Sequence, residues 1–502
     1  MSIDYKKLQN GSDVRGIALE GIEGQHVNLT NEAAATIAKS FALWLSEKQN
    51  KPVDGLLIAV GRDSRISGPA LSQAVMTAMC EMGVSVIDCG MATTPAMFMS
   101  LVTPGFEYDG SIMITASHLP FNRNGLKFFV RTGGLDKGDI TEILSTCEGL
   151  PDGLDAGGGS ITKVDFMESY AEHFRNKITS GVGGERPLEG LKIVVDAGNG
   201  AGGFFATKVL APLGADINGS LFLDPDGTFP NHIPNPEDKV AMSFIQKAVI
   251  DSKADLGLIF DTDVDRAAAV DSDGSEFNRN RLIALISAII LQQHKGTYIV
   301  TDSVTSTGLA DFIKEKGGVH LRFKRGYKNV INKGIELNKA GTDCQIMIET
   351  SGHAALKENY FLDDGAYLAV KLVIELAKLR KQGKTLGSLI DSLAEPVESA
   401  EYRLNISGED FGAYGAKVVK ELTEYSAKQT GWTVADDNYE GIRVYFDRDN
   451  GDGWFLLRVS LHDPVIPVNI ESDSAGGENI IREKLYAFLK GYDRLDLSAM
   501  EK

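Results

Sequence analysis

The sequence predicts an α/β protein of three successive α/β units, closed by a smaller α+β unit. Three observations predict it. Short apolar runs rich in β-branched residues recur along the chain, and each gives way to a helical pattern. Polar and glycine residues collect at the carboxyl ends of those runs, where α/β proteins place their ligands. From about Pro396 the character changes, and YRLNIS, IRVYFD and GWFLLRVS read as strands of a separate antiparallel sheet.

Taken in order, LLIAVGRDSR (56–65) and SIMITASHLP (111–120) are near-continuous apolar strands ending in polar turns, the pattern of a parallel sheet covered on both faces. PDGLDAGGGS (151–160) is a turn-rich connection into the helix-like VDFMESYAEHFRNKI and the glycine-rich SGVGGERPLEG. A new strand pattern opens at Leu191 with LKIVVDAGNGAGG (191–203), and ADLGLIFDTDVDR (254–266) repeats it. The run LIALISAIIL (282–291) is too short to span a bilayer and reads as a buried helix. GTYIVTDSVTS (296–306) opens a third unit, which continues through QIMIETSGH (345–353) and closes with a long helix around 367–379. The expected domain limits are 1–160, 161–295, 296–395 and 396–502.

At ~150 residues per domain, a chain of 502 residues holds three or four domains. Its 43% hydrophobic and 24% charged content excludes wholesale disorder and a small disulfide-stapled scaffold. A net charge of −18 argues against a broad nucleic-acid surface, which needs a basic face. It leaves room for a phosphate-bearing small molecule, which needs only a few Arg and Lys in one cleft. Cys80, Cys89, Cys147 and Cys344 form no C-x-x-C pair and read as reduced thiols. The N-terminal MSIDYKKLQNGSDVRG has no apolar core of a secretory signal. The expectation is a cytoplasmic protein, monomer or homodimer, with neither membrane nor nucleic-acid partner.

Four constellations carry chemistry. Thr115-Ala116-Ser117-His118-Leu119-Pro120 follows a buried strand, so Ser117 stands on a rigid support where His118 could polarise it and Lys127 could return to it. Alone, the segment also reads as an ordinary strand-end turn capping a helix. Asp261, Asp263 and Asp265 alternate in a loop after LGLIF, and three oxygen donors converging on one hard cation suit Mg²⁺. Left as solvated acids beside a buried strand they would repel, unless a cation or basic partner neutralised them. An EF-hand would need Gly and Glu where Arg266 and Ser272 stand, and the DxDx[TV] phosphatase loop would need Thr or Val at Asp265. Glu349-Thr350-Ser351-Gly352-His353 could bond several sugar hydroxyls, or simply begin a helix with a capping Ser. Arg458 and Ser460 could grip a phosphate, or form a surface turn. Asp13-Val14-Arg15-Gly16 and Gly61-Arg62-Asp63-Ser64-Arg65 add guanidinium groups, either of which could be a structural Arg–Asp pair, and Lys324 to Lys328 is a short basic cluster.

Together these segments resemble the α-D-phosphohexomutase family, in its phosphoglucomutase/phosphomannomutase branch. TASHLP with NGLK downstream is similar to the family's phosphoserine loop TASHNP with NGxK, and DTDVDR to its metal loop DGDGDR. ETSGH resembles the sugar loop GEMSGH, and RVSLHDP occupies the place of the phosphate loop R-x-S-[NG]-T-x-P. SDVRG, VGRDSR, DAGNGAGG and DGTFPNHIPNPED (226–238) match in order, so the resemblance runs from Asp13 to Pro464.

The resemblance implies three related domains with mixed, mainly parallel sheets and a C-terminal α+β domain around a central active-site cleft. It implies a phosphohexomutase that interconverts hexose 1-phosphate and hexose 6-phosphate of glucose or mannose. The route is a phosphoserine and a bisphosphate intermediate that reorients, with hexose 1,6-bisphosphate as activator. Ser117 would carry the phosphoryl and, with Asp261, Asp263 and Asp265, bind Mg²⁺. His118 and Lys127 resemble the acid/base and phosphate-steadying groups, and Arg15, Arg62 and Arg266 would hold charge around the transfer. Glu349, Ser351, His353, Lys324 and Tyr327 would meet the sugar, and Arg458 and Ser460 the non-reacting phosphate. The sequence departs from the pattern at Leu119, Val264, Ile348, Thr350, Leu461 and His462, and Tyr327 stands where some members have His. The alternatives are a phosphoglucosamine or phosphopentose mutase, or a non-catalytic sugar-phosphate-binding protein on the same fold.

Overall fold

The computed structural model describes residues 3–151, 154, 157–460 and 463–501. Leu461 and His462, and part of the 151–160 connection, therefore lie outside the described residues. The chain divides into two compact units. One comprises Met1–Asn278, Ser351–Ala355 and Leu362–Ser388, and the other Arg279–Thr350, Leu356–Phe361 and Leu389–Lys502.

The first unit holds two sheets. In the N-terminal one, Leu57–Arg62 pairs in parallel with Ser85–Met91 and with Gly110–Ile114, and Ser160–Lys163 extends it beyond Ser85–Met91. Arg123–Val130 runs antiparallel between Gly110–Ile114 and Asp13–Ile17. Helix Asn31–Gln49 begins where the Thr30 side chain accepts from Ala33 N, and ends at Asn50 in the left-handed conformation. Its inner face places Phe41 against Phe128, ring centroids 4.8 Å apart. In the second sheet Leu256–Phe260 lies parallel to Ile193–Asp196 and antiparallel to Ala267–Asp271. Both sheets are thus mixed, although the apolar runs by themselves read as parallel. The connection from Phe260 to Ala267 is too short for a parallel crossover, which needs a dozen or more residues, so the chain must fold back as a hairpin.

Helix Gly365–Arg380, expected to close the third α/β unit, lies in this first compact unit and packs on helix Phe166–Val182. Tyr170 Oη donates to Asp364 at 2.8 Å, and Phe174 and Tyr367 rings approach to 6.4 Å. Gly181 lies so close to Ile374 that a Cβ there would come within 2.9 Å of its side chain.

In the second unit Val319–Arg322, Tyr298–Thr301 and Cys344–Ile348 form parallel pairs about the central Tyr298–Thr301. Helix Arg279–Leu291 is buried at every residue from Leu282 on, as the unbroken apolar run requires. After Pro396 comes a wholly antiparallel sheet in the order Glu398–Asn405, Val465–Ser472, Gly453–Leu457, Ile442–Phe446, Trp432–Val434. Helices Phe411–Ser426 and Gly477–Leu489 bury Leu422 and Leu485 against its inward residues Phe455, Leu457 and Val468. Among the described residues no helix is long and apolar enough to cross a membrane, and all four cysteines are free thiols.

Candidate active site

Gly110–Ile114 delivers the TASHLP turn at its carboxyl end, and the chain returns at once as Arg123–Val130. Ser117 stands in that turn with φ +50°, a left-handed backbone that a residue with a Cβ keeps only when its surroundings impose it. Asp63, Arg65 and Thr115, all fully buried, impose it. Asp63 accepts from Thr115 Oγ1 at 2.7 Å and from Arg65 N at 2.9 Å, while Thr115 Oγ1 accepts from Ser117 N at 2.9 Å. The Arg65 guanidinium spreads under the turn. It donates to the carbonyls of Ser117, of Leu119 at 2.7 Å, of Pro120 at 2.8 Å and of Arg123 at 3.0 Å. Leu119, lacking the family's polar side chain, contributes this carbonyl to the scaffold. Arg15, paired with Asp13 at 2.9 Å, donates to the Thr115 carbonyl from the adjoining strand.

The second loop, residues 261–266, is buried throughout. Val264 takes φ +65°, where a β-branched residue costs about 1–3 kcal/mol. Gly365 N donates to its carbonyl at 3.1 Å and helps to hold it there. Asp261, Asp263 and Asp265 bring carboxylate oxygens within 4.8 Å of one another. Basic partners are present too. Lys127 Nζ lies 2.5 Å from Asp265 and 3.3 Å from Asp263, and Arg266 Nε lies 3.2 Å from Asp261. Burial, with Asp265 and Asp263 close by, drives the Asp261 carboxyl well above its ordinary range. Burial pushes Asp265 the same way, but Lys127, His353 and Arg266 outweigh it and hold that carboxyl far down. Oδ1 of Asp263 and Oδ1 of Asp265 remain buried with no hydrogen-bond partner among the described residues. Two such oxygens beside a third carboxylate fit a small, hard divalent cation, because an unpaired buried acceptor is costly and Mg²⁺ takes oxygen ligands.

The two loops meet at Ser117. Its Oγ donates to Asp261 Oδ2 at 2.9 Å and lies 3.3 Å from Arg266 Nη2. Thr94, at the start of helix Thr94–Met99, bonds Asp263 through both its side chain and its backbone N. His118 Nδ1 lies 3.3 Å from Ser117 Oγ, within reach to polarise it, and also receives Arg266 Nη2 at 2.6 Å. Burial and Arg266 push its pKa down to about 3, so the ring is neutral near pH 7 and its Nδ1 is occupied. His353 behaves oppositely. Burial alone would lower its pKa, but Asp363, 2.5 Å from Nδ1, and Asp265 hold it up to about 9.

Among the described residues Arg62 makes no hydrogen bond to the serine turn. It hydrogen-bonds the Asp63 carbonyl at 3.2 Å and lines a cavity of about 780 Å³ with Met76, Lys163, Phe204 and Lys208. The neighbour that bonds the turn is Arg65, present in the same segment but given no site role from sequence. Its signal was the Asp-x-Arg spacing, since Asp63 accepting from Arg65 N tucks the arginine inward. Asp363 and Thr94 carried no local signal at all.

The ETSGH segment is divided between the units, with Ser351 and His353 in the first and Glu349 in the second. Glu349 accepts from Gly326 N at 2.6 Å, just ahead of helix Tyr327–Lys339, whose first residue is Tyr327. Lys324 is exposed, as a solvated basic cluster would be. Arg458 follows strand Gly453–Leu457 with its Nε buried and without a hydrogen-bond partner among the described residues. Burial and the nearby Arg325 lower its pKa. Ser460 N donates to Val465 O at 3.0 Å, and Ser460 Oγ accepts from Asp463 N at 3.3 Å.

Three family models match the chain. They are the phosphoglucomutase/phosphomannomutase alpha/beta/alpha domains I, II and III, over residues 6–148, 168–274 and 278–397. A phosphoglucomutase of Neisseria gonorrhoeae is 32% identical over 95% of this chain and 96% of its own. A phosphoglucomutase/phosphomannomutase of Thermococcus kodakarensis is 33% identical over 93% of this chain and 95% of its own. Among solved structures, a phosphoglucomutase/phosphomannomutase family protein from Burkholderia thailandensis superposes with a TM-score of 0.78 at 29% identity, covering 96% of each chain.

Proposed function

Because the chain belongs to the phosphoglucomutase/phosphomannomutase branch of the α-D-phosphohexomutase family and is an isomerase of that kind, we propose that it interconverts the 1- and 6-phosphates of glucose, mannose or both through a phosphorylated Ser117. One observation carries the reading. A serine held at φ +50° has its Oγ within hydrogen-bonding reach of both a buried carboxylate of an acidic triad and a buried guanidinium.

In the forward half-reaction the P–Oγ bond at Ser117 breaks and a P–O bond forms to the free hydroxyl of a hexose phosphate, giving a hexose bisphosphate. The departing Oγ takes up one proton as the hexose hydroxyl gives one up and releases it when the phosphoryl returns, and Arg266 Nη2 at 3.3 Å stabilises the developing charge on it. His353 in its neutral form takes the hydroxyl proton, and in its cationic form returns it in the opposite half-reaction. Asp363, on its Nδ1, raises the affinity of the ring for that proton. The bisphosphate turns over, and its other phosphoryl goes back to Ser117 Oγ. Asp261, Asp263 and Asp265, with an oxygen of the phosphoserine, would hold Mg²⁺, which when bound offsets charge on the transferring oxygens. Lys127, fixed between Asp263 and Asp265, adds a second positive charge. Glu349, Ser351, Lys324 and Tyr327 would meet sugar hydroxyls. Arg458 and Ser460 would hold the phosphate that is not reacting, and the buried Nε of Arg458, without a partner among the described residues, supports that role.

The test is a coupled mutase assay with Mg²⁺ and a catalytic amount of hexose 1,6-bisphosphate, offering the 1-phosphates of glucose, mannose and glucosamine. Turnover of glucose 1-phosphate, mannose 1-phosphate or both is expected. It should be lost on chelation with EDTA and restored by Mg²⁺ but not by K⁺. Preference for glucosamine 1-phosphate would move the assignment to the amino-sugar branch, and turnover indifferent to chelation would remove the cation from the reading.

A further inference from the structure

Residues 226–238 form a strap that leaves the second sheet and touches both loops of the serine site, all within the first compact unit. It is pinned at His232, a buried ring packed against Phe222 and Phe244. Nε2 of that ring lies 3.0 Å from Asp196 Oδ2, and Nδ1 lies 2.9 Å from the Ile233 carbonyl. Beside the pin, Asn231 donates to Asn199 Oδ1 at 2.7 Å.

Upstream of the pin, the strap presses on the serine turn's support. Gly227 packs so tightly on the 64–66 backbone that an added Cβ would come within 2.8 Å of the Arg65 carbonyl carbon, and the Phe229 ring faces the Arg65 guanidinium at 5.3 Å. Downstream, Asn235 Oδ1 accepts from Arg266 Nη1 at 3.1 Å and from Glu237 N at 3.1 Å, which fixes which side of the amide faces the arginine. The Glu237 carboxylate stands 3.8 Å from the same Nη1, and Asn278 Nδ2 donates to the Pro236 carbonyl at 3.0 Å.

Arg266 therefore has every edge engaged: Nε on Asp261, Nη1 on Asn235, and Nη2 on Ser117 and His118. A guanidinium is planar and rigid, so holding two edges determines where the third points. We propose that Asn235 is a positioning residue for phosphoryl transfer, setting the rotation of Arg266 and so the place of Nη2 at Ser117 Oγ. The inference rests on Ser117 being the phosphoryl carrier.

Asn235→Ala tests it, with Asn235→Asp as the variant that keeps an acceptor oxygen at the same place. Loss of a hydrogen bond to a charged group predicts a fall in kcat of roughly tenfold to a hundredfold for Asn235→Ala. KM for the hexose phosphate and the thermal midpoint should stay near wild type, and Asn235→Asp should recover most of kcat. An unchanged kcat in Asn235→Ala would overturn the proposal. So would a loss that tracks unfolding and is not rescued by the Asp variant. A crystal structure of Asn235→Ala decides independently of activity. Nη2 displaced from Ser117 and His118 supports the proposal, and Nη2 left in place overturns it. Wild-type protein inactive on every sugar would instead count against the function proposed above, while that crystal structure would still settle how Arg266 is held.

Discussion

Ser117→Ala should abolish mutase turnover while leaving the fold intact. The serine oxygen is the only atom removed, and the loss expected for a group that carries the transferred phosphoryl is at least a thousandfold or so. The scaffold around it does not depend on that oxygen. Arg65 grips the carbonyls of residues 117 and 119, and Thr115 Oγ1 receives the backbone N of residue 117. The coupled assay measures the loss, and intact-mass analysis after incubation with hexose 1,6-bisphosphate should show phosphoryl uptake by wild type and none by the variant. Turnover that survives the substitution would place the phosphoryl carrier elsewhere.

Arg65→Met is the second large effect, and it acts on stability as well as on rate. Methionine fills much of the same space but leaves four carbonyls without their shared donor and Asp63 without its cation at 3.3 Å. Breaking a buried ion pair by removing one partner costs about 3–5 kcal/mol. Arg65→Lys should recover only part, because one ammonium cannot span the positions that a guanidinium fork reaches.

The pH dependence has a definite sign. Burial already raises the Asp63 carboxyl in the native protein, against the pull of Arg65, and removing Arg65 raises it further. A carboxyl with a raised native pKa takes up a proton on folding, so its contribution is present below the unfolded value and fades as pH rises. The deficit of Arg65→Met should therefore be smallest near about pH 4 and grow toward neutrality. Urea denaturation at several pH values measures it. A deficit that does not change with pH would mean that Asp63 finds another cation.

Most of the site's chemistry was legible in the sequence because it is local. Ser117, the three alternating carboxylates and Lys127 stand at the ends of buried strands or on the next one, and the structure assembles them. The antiparallel character of the last sheet was legible for the same reason. The antiparallel strand Ala267–Asp271 does not read as a strand at all, because its three alanines carry little β propensity. From sequence the acid/base role falls to His118 and the sugar to His353, because local sequence shows neither ring's charged neighbour. Arg266 lies against one and Asp363 against the other.

The sequence by itself thus determined which reactive groups exist and that each sits on a rigid strand end, since strand pattern and turn chemistry act over a few neighbouring residues. Tertiary structure alone decided which charges meet. Arg65 rather than Arg62 supports the serine turn, and Asn235 aims Arg266 from 31 positions upstream. His353 rather than His118 keeps a proton near neutrality. The physical reason is that a buried group's ionisation and orientation depend on desolvation and on charges within a few ångströms, and those neighbours come from strands and loops far apart in the chain.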